Sequence, residues 1–445
     1  MKGLLYIMYG TVEALIELLS IPSVSGDKEN CGKALDYMLE KGEAFGFTCK
    51  KAVDNRVGII EIGEGEETVG ILTHVDVADP GNRRLWQCDP FVPVVVNGNI
   101  IARGTLAGKG PAIAALFAMK DVWNTYYHRG KSYGKRIQMI IGTGLEHDLS
   151  DVRSYLMDHK APDYGFAPDG VFPICNVSKG TMNILVSFPV KKDVGCISDI
   201  KAGNCNQVVP EKCMITLDDD RKFAAAGKAV DSAYPEQGVN AIFKMAAALD
   251  SIIGNDRLVL RDDVVFQVIR KLRYGFDEFY GQRAGMPRSK GSFKNEASGN
   301  NIYVPTRIYI FKDRLYVNMN VRYSNDTDEK DIIEALEKYF EDDDMRIDNI
   351  DSAPGIFVSR NAPFVKAFGD AYEHVTETRN DFTLAQGPSY AQLMDNIVVW
   401  GPVLPGREDN RRQPDESISV GELTLIESIY CKALHTMAFT EDSFK

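Results

Sequence analysis

The chain has 445 residues, more than a single hydrophobic core usually supports, so two or three domains are expected. Its formal net charge of -12 argues against nucleic acid and anionic membrane surfaces as partners. The eight cysteines contain no CxxC pair, the N-terminus has no cleavage-like site, and no apolar run is long enough for a membrane span. These features predict a cytoplasmic protein without a thiolate zinc site.

Helices and strands alternate over the first part of the chain, which is typical of an α/β domain with a parallel-rich sheet. Thr11 is the predicted N-cap of the first helix. Asn97-Gly98 predicts a type I′ hairpin turn between two short strands. The predicted helices are 11–19, 28–45, 109–128 and 149–158, and the predicted strands are 56–62, 69–73, 94–102 (the hairpin), 136–143 and 164–167.

The pattern changes after about Thr181, where strands predominate, and helical patterns return after about Ala362. We therefore predict an α/β domain formed by residues 1–181 and 353–445, interrupted by an inserted α+β domain of residues 182–352. The inserted part has predicted strands at 182–190, around 214, around 308 and at 315–321, with helices at 239–250 and 330–340. The last part has a strand at 397–400 and a helix at 420–438.

His74 and Asp76 follow a buried strand, at the position where open α/β sheets carry their chemistry. An imidazole with a carboxylate two residues later suits a metal ligand and a group that orients it. A histidine satisfied at a strand end explains the same pair, and for this motif alone it is the better explanation.

Nine stretches, in order, extend this observation over nearly the whole chain, and together they resemble one family. They are LLSIPSVSGD, THVDV, WQCDPF, ARGTLAGKGP, IIGTGLE, DYGFAPDGVFP, YPEQGVNA, NVRY and PGREDNRRQPDESIS. The sequence resembles the co-catalytic zinc exopeptidases (aminoacylases, carboxypeptidase G and PepV-type dipeptidases), and it is closest to the PepV-type branch. The resemblance implies a zinc-binding α/β catalytic domain and a lid domain that closes over a small peptide.

Such an enzyme uses two zinc ions that clamp a water and the scissile carbonyl, and a glutamate that accepts a proton from the water. The resemblance implies that His74 and Asp169 are ligands of the first zinc and Glu146 of the second. It also assigns Asp76 to the catalytic carboxylate behind His74.

Four other family positions carry residues that cannot perform the expected task. Ala107 stands at the bridging aspartate, and Leu145 stands at the general base. Arg412 stands at the second-zinc histidine, and a guanidinium has no lone pair to give to a metal. Asp231 stands at the lid histidine that polarises the substrate carbonyl.

The resemblance also assigns substrate-binding positions. Arg322 matches a substrate-facing arginine, and Gln207 replaces an asparagine of the lid. Gly387 and Ser389 belong to the loop that receives the substrate carboxylate. In that loop Pro388 replaces a glycine, which removes one backbone donor.

The sequence therefore predicts a dipeptidase-like pseudo-enzyme with zinc absent or weakly bound, whose cleft binds a small peptide or an amino acid. Arg412 is expected to pair with Glu146 near the second-zinc position, the alternative being a surface arginine. Two other functions stay open: an active metal-dependent dipeptidase or amidohydrolase with a rebuilt mononuclear site, and a structural or regulatory subunit. His147 is the nearest candidate for a recruited ligand, but a solvated residue at a helix start explains it better. The chain is expected to be a monomer or a homodimer.

Overall fold

The computed structural model describes residues 2–129, 134–190, 196–253, 263–289, 300–385, 387, 389–440 and 442–445. The chain divides into two compact units. The first unit comprises Met1–Ser178 and Ile356–Lys445, and the second comprises Lys179–Gly355. The predicted divisions at 181/182 and 352/353 lie close to these.

Most of the helices follow the sequence pattern closely. The Ser419 hydroxyl accepts a hydrogen bond from the Glu422 N–H, and the Glu422 carboxylate accepts one from the Ser419 N–H, which closes a capping box at the last helix. The helices are α1 Lys2–Leu19, α2 Lys28–Ala44, α3 Lys109–Arg129, α4 Ser150–Asp158, α5 Ala241–Ile253, α6 Val264–Phe276, α7 Glu329–Tyr339, α8 Pro363–Thr376 and α9 Val420–Ala438. Helices α2, α6, α7 and α9 begin at a side-chain N-cap.

The prediction that Thr11 caps the first helix is wrong. Helix α1 already begins at Lys2, so Thr11 lies in its interior. Its hydroxyl donates a hydrogen bond of 2.9 Å to Oε2 of Glu427 instead.

The strands predicted at 69–73, 136–143 and 164–167 are present and, apart from the exposed Arg136, almost entirely buried. This is typical of parallel strands covered on both faces. The strands are β1 Thr48–Ala52, β2 Val57–Ile62, β3 Thr68–His74, β4 Val94–Val96, β5 Asn99–Ile101, β6 Arg136–Gly142, β7 Tyr164–Ala167, β8 Gly170–Val171, β9 Ile174–Ser178, β10 Gly180–Pro189, β11 Ile197–Ala202, β12 Lys212–Leu217, β13 Lys222–Ala226, β14 Ile302–Phe311, β15 Arg314–Tyr323, β16 Arg346–Ala353, β17 Thr383–Ala385, β18 Ile397–Trp400, β19 Pro402–Val403 and β20 Ser417–Ser419.

The first unit is built on an eight-stranded sheet in the order β1-β2-β6-β3-β7-β18-β9-β17. Its centre is parallel, since β6, β3, β7 and β18 pair in parallel along the sheet. The predicted hairpin is present: β4 and β5 pair around Asn97 and Gly98, which both have positive φ.

The second unit is an antiparallel seven-stranded sheet in the order β13-β12-β11-β14-β15-β10-β16, with α5, α6 and α7. Helix α6 and strands β11, β13 and β16 have no counterpart among the predicted elements. The predicted fold class, an α/β domain with an inserted α+β domain, is confirmed. Among the described helices, none combines the length and apolar content that a membrane crossing requires.

An aromatic cluster fills the first unit where β7 and β18 meet the last helices. Trp400 of β18 is fully buried, and its ring lies 4.8 Å from Phe368 and 5.3 Å from Phe166, centroid to centroid. Such pairs stabilise a core beyond the area that they bury. This packing holds β7 and β18 in place within the sheet.

Gly142 ends β6 and allows a close approach that no side chain would permit. A Cβ at this position would lie 2.0 Å from Oη of Tyr390 and 2.5 Å from Oδ2 of Asp151. The Tyr390 hydroxyl donates to that same carboxylate oxygen at 2.7 Å, and Thr143 N–H donates to it at 2.6 Å. Any larger residue at position 142 would therefore disrupt the hydrogen bonds that Asp151 accepts from Tyr390 and Thr143.

Replacing Gly142 with alanine should lower the free energy of unfolding by about 1–3 kcal/mol because the added methyl group disrupts these hydrogen bonds. Gly32, in the middle of α2, is the matched control because a Cβ there meets nothing within 4 Å. G32A should be neutral or stabilising by up to about 1 kcal/mol. Urea denaturation measures both variants, and a G142A protein as stable as wild type would contradict the account.

Candidate functional site

The candidate site lies at the carboxyl ends of the central parallel strands. Strand β3 ends at His74, and Asp76 follows two residues later. Glu146 lies in the turn after β6, and Asp169 lies two residues after the end of β7. Neighbouring parallel strands end at one edge of the sheet, which is where open α/β sheets place their ligands.

Asp76 is fully buried and holds the surrounding loops together. Its Oδ1 accepts the N–H of Leu145 at 3.2 Å, and its Oδ2 accepts the N–H of Glu146 at 2.9 Å and the Ser25 hydroxyl at 2.7 Å. Burial opposes its charge, but His74 and these donors hold the pKa of Asp76 below its usual value. Asp76 is therefore an ionised, fully engaged carboxylate.

His74 lies between two carboxylates. Its Nδ1 is 2.9 Å from the backbone oxygen of Asp76 and 3.2 Å from Oδ1, and its Nε2 is 3.9 Å from Oδ1 of Asp169. Burial by itself would lower the pKa of His74, but Asp76, Asp169 and Glu146 raise it to about 9. In this arrangement the imidazole is a cation at neutral pH.

Asp169 is held from both sides. Its Oδ2 accepts the Ser389 hydroxyl at 2.7 Å, and its backbone oxygen accepts from Nη1 of Arg411. Burial raises the pKa of Asp169, against the opposing effects of His74 and Ser389. Ser389, predicted to bind substrate, contacts a predicted metal ligand. Gly387 is exposed with a φ of 85°, and Pro388 lies outside the described residues.

Arg412 and Glu146 form the ion pair expected from the sequence. Nε of Arg412 lies 2.8 Å from both carboxylate oxygens of Glu146, and Nη2 lies 2.7 Å from Oε1. The Glu146 side chain is 8% exposed and that of Arg412 is 30% exposed. A guanidinium at these distances satisfies the carboxylate with charge-assisted hydrogen bonds.

Glu416 is a buried carboxylate of the site that sequence reasoning missed. Its Oε1 accepts the N–H groups of Leu106 and Ala107, each at 2.9 Å, and its Oε2 lies 2.8 Å from Nη1 of Arg103. It also accepts the Arg412 N–H at 3.3 Å. The loop containing Ala107 is thus fixed through its backbone by a carboxylate from the C-terminal segment.

Lys109, at the start of α3, is a second missed residue. It is fully buried, its ammonium donates to the backbone oxygen of Ile21, and burial lowers its pKa to about 7. Gly108 beside it has a φ of 92°, and a Cβ there would lie 2.8 Å from Cε1 of His74. The glycine allows the helix start to lie against the imidazole.

Leu145 and His147 flank Glu146 and differ sharply in exposure. Leu145 is buried and contributes its backbone N–H to Asp76. The His147 side chain is 64% exposed, with Nδ1 3.2 Å from Oδ2 of Asp148. His147 is therefore solvent-exposed, and among the described residues it forms no compact ligand group with the predicted metal ligands.

The predicted substrate-binding residues of the second unit lie near one another within that unit. Nη1 of Arg322 donates to Thr181 Oγ1 at 2.7 Å, and Nη2 lies 3.6 Å from Oδ1 of Asp231. Gln207 is exposed, and its backbone oxygen accepts the N–H of Ser232, the residue after Asp231. Burial lowers the pKa of Arg322, and its Nε has no partner among the described residues.

Comparison with known proteins decides the family. No family model matches the chain. Over 443 residues it is 30% identical to "Putative dipeptidase YtjP" of Bacillus subtilis (strain 168), covering 92% of this chain and 91% of the relative. It is 29% identical over 473 residues to a "Putative dipeptidase" of Staphylococcus epidermidis (strain ATCC 12228 / FDA PCI 1200), with 96% of each covered.

The fold is similar to that of an M20 family metallo-carboxypeptidase, Sso-CP2 from Sulfolobus solfataricus. The TM-score is 0.63 at 17% identity, with 96% of this chain and 98% of that chain covered. The chain belongs to the M20 metallopeptidase/dipeptidase family. Human carnosine dipeptidase 1 has a similar fold, with a TM-score of 0.61 at 13% identity and 98% of each chain covered. The resemblance drawn from the sequence is confirmed at this level.

Removing Arg412 should leave Glu146 largely buried without a counter-charge. R412M should lower the free energy of unfolding by about 2 kcal/mol, less than for a fully buried pair because the guanidinium is partly exposed. The double variant R412M/E146Q should lose less than R412M alone, since no unpaired charge remains. Urea denaturation of wild type, R412M, E146Q and the double variant gives the coupling energy, with R379M at an exposed arginine as the control. Strictly additive losses would contradict the pairing.

The raised pKa of His74 gives a pH-dependent contribution to stability. Its value of about 9 lies above the 6.5 of an unperturbed histidine, so the contribution is complete below that lower value and is lost as pH rises through the higher one. The difference in free energy of unfolding between wild type and H74Q should therefore shrink by about 3 kcal/mol as the pH rises from about 6 to about 10. Denaturation of wild type and H74Q across this range, with H374Q as a surface control, measures it. A loss that is independent of pH would contradict the charged imidazole.

Proposed function

We propose that this M20 family protein belongs to the PepV-type branch and has lost two-zinc peptide hydrolysis, while its site binds a small peptide or an amino acid. The Arg412–Glu146 ion pair is the observation on which the proposal depends. A permanent cation of the chain stands where the resemblance places a histidine ligand of the second zinc.

The residues present do not fit two zinc ions of the family type. Arg412 has no lone pair for a metal, and Glu146 is already paired with it. The methyl group of Ala107 supplies no bridging oxygen. The N–H groups of Leu106 and Ala107 donate to Glu416, so this loop binds a carboxylate of the protein itself.

The remaining candidate ligands do not form a compact set. Among the described residues, His74, Glu146 and Asp169 do not make a group of three whose ligand atoms all lie within 4.8 Å of one another. Leu145 occupies the position of the base, and an alkyl group accepts no proton. A general base contributes roughly 10²–10⁴ in rate, so its loss alone would leave little activity.

The site retains features that suit a small anion. Nη1 of Arg412 has no partner among the described residues, and its side chain is 30% exposed. A carboxylate of an amino acid or peptide could accept from it, since guanidinium groups bind carboxylates strongly. Arg322, Gln207 and Gly387 remain substrate-binding proposals that depend on the resemblance alone. We further propose a cytoplasmic monomer or homodimer without nucleic-acid or membrane partners.

An active metal-dependent dipeptidase is the second candidate, and the names of the relatives favour it. The two relatives from Bacillus subtilis and Staphylococcus epidermidis are named putative dipeptidases. YXEP of Bacillus subtilis, which is similar in fold with a TM-score of 0.53 at 10% identity, is described as a dinuclear metal binding peptidase. This candidate requires wild-type protein to hold catalytic metal with the residues that it has now.

Restoring three of the four replaced groups, those of the first unit, separates these functions. Wild type should show no chelator-sensitive hydrolysis of a dipeptide panel with zinc, manganese or cobalt. A107D/L145E/R412H should bind two more zinc ions per chain than wild type, because it regains the bridging oxygen and the imidazole. A107D/L145E, which keeps Arg412, should gain fewer. Wild-type cleavage that a chelator abolishes and zinc restores would overturn the proposal.

Binding is tested separately by thermal shift, because a ligand that binds only the folded state raises the melting temperature. Dipeptides or amino acids should raise the melting temperature of wild type and of R379M, but not that of R412M. If no compound of a broad panel shifts wild type, the site does not bind this class of ligand and is vestigial.

A further inference from the structure

A second cluster of metal-binding side chains lies on the helices of the first unit, apart from the strand-end residues. Cys431 and His435 are four residues apart on α9, so they share one face of the helix. Asp121 comes from α3, which packs against α9. The ligand atoms of these three side chains all lie within 4.8 Å of one another.

The three side chains already converge on one point. Oδ2 of Asp121 accepts the Cys431 thiol at 3.2 Å and lies 2.8 Å from Nε2 of His435. Bond lengths to tetrahedral zinc place a sulfur and an oxygen ligand about 3.6 Å apart, and a nitrogen and an oxygen about 3.4 Å apart. The cluster therefore needs to open by only about half an ångström to surround a zinc ion.

We infer that Asp121, Cys431 and His435 form a binding site for a zinc-type divalent transition metal, joining α3 to α9. A thiolate, an imidazole and a carboxylate are the three ligand types that zinc prefers, and water completes a tetrahedron. The site is independent of the proposed function, because it shares no residue with the strand-end site.

The position of the cluster makes it accessible and gives it a structural role. The side chain of Asp121 is 46% exposed and that of His435 is 26% exposed, so an ion can enter from solvent. Cys431 is half-buried. Burial and the neighbouring Asp121 raise the pKa of the thiol, so metal binding releases one proton from sulfur to solvent as the metal–thiolate bond forms. The bound ion would tie the C-terminal helix to α3.

The absence of a CxxC pair predicted that the chain has no thiolate zinc site, and the proposal departs from that expectation. The ligands here are spaced by one helical turn, and the third residue lies 310 positions away from Cys431 in sequence. Such a set is visible only after the helices have packed.

Cobalt(II) tests the site because it replaces zinc and gives a near-ultraviolet charge-transfer band only when a thiolate binds it. Titration of untagged, metal-free wild type should give this band and saturate at one cobalt per chain. C431S should lose the band. D121N and H435N should weaken cobalt binding by more than about 100-fold. C205S, at an exposed cysteine of the second unit, and H374N should behave as wild type.

A thermal-shift measurement with zinc provides a second readout that does not need the thiolate band. Zinc should raise the melting temperature of wild type and C205S, but not that of D121N or H435N. Absence of a thiolate band in wild type, or a band that survives in C431S, would overturn the inference. A zinc-dependent shift that is equal in wild type and H435N would overturn it as well.

Discussion

The structure of the first unit depends on the compensation of charge at the ends of its central strands. Asp76, Glu146, Asp169 and Glu416 are carboxylates that the fold removes from most or all of the solvent. A buried carboxylate without a partner is very costly, so each must be hydrogen-bonded, paired or protonated. Asp76 accepts hydrogen bonds from backbone N–H groups and from the Ser25 hydroxyl. Arg412 pairs with Glu146, and Arg103 pairs with Glu416.

This arrangement has a consequence for the protein's dependence on metals. In a two-zinc site the ions supply the positive charge, so stability of the empty site depends on metal supply. Here the chain itself provides positive charge at neutral pH, through the arginines and the His74 imidazole. In the proposed function, the same groups also occupy positions from which metal chemistry would act. Under the proposed function, charge compensation and loss of hydrolysis are two aspects of one set of substitutions.

Much of this organisation could be predicted from the sequence because it rests on local patterns. The buried strands before His74 and after Arg136, the Asn97-Gly98 turn and the bounds of the last helix are set by periodicity and turn chemistry. The Arg412–Glu146 pair could be predicted because both residues lie in stretches that match the family. Strand β16 could not be predicted from the sequence, since it is a largely exposed edge strand of mostly polar residues without clear alternation. Helix α6 could have been predicted from sequence, because it has an N-cap at Asp263 and an apolar face.

Glu416, Lys109 and the cluster on α9 could not be predicted for a different reason. A lysine or glutamate in a polar stretch is usually solvated, and nothing local shows that it will be buried. Their partners are backbone groups or side chains hundreds of residues away, such as the Leu106 N–H for Glu416. Only tertiary packing brings these groups together.

The most direct measurement of the central claim is a crystal structure determined after soaking in excess zinc, with anomalous data at the zinc edge. The account predicts that Arg412 stays on Glu146 and that no zinc peak lies among His74, Glu146 and Asp169. Two peaks about 3.5–4 Å apart at that place, with Arg412 displaced, would contradict it.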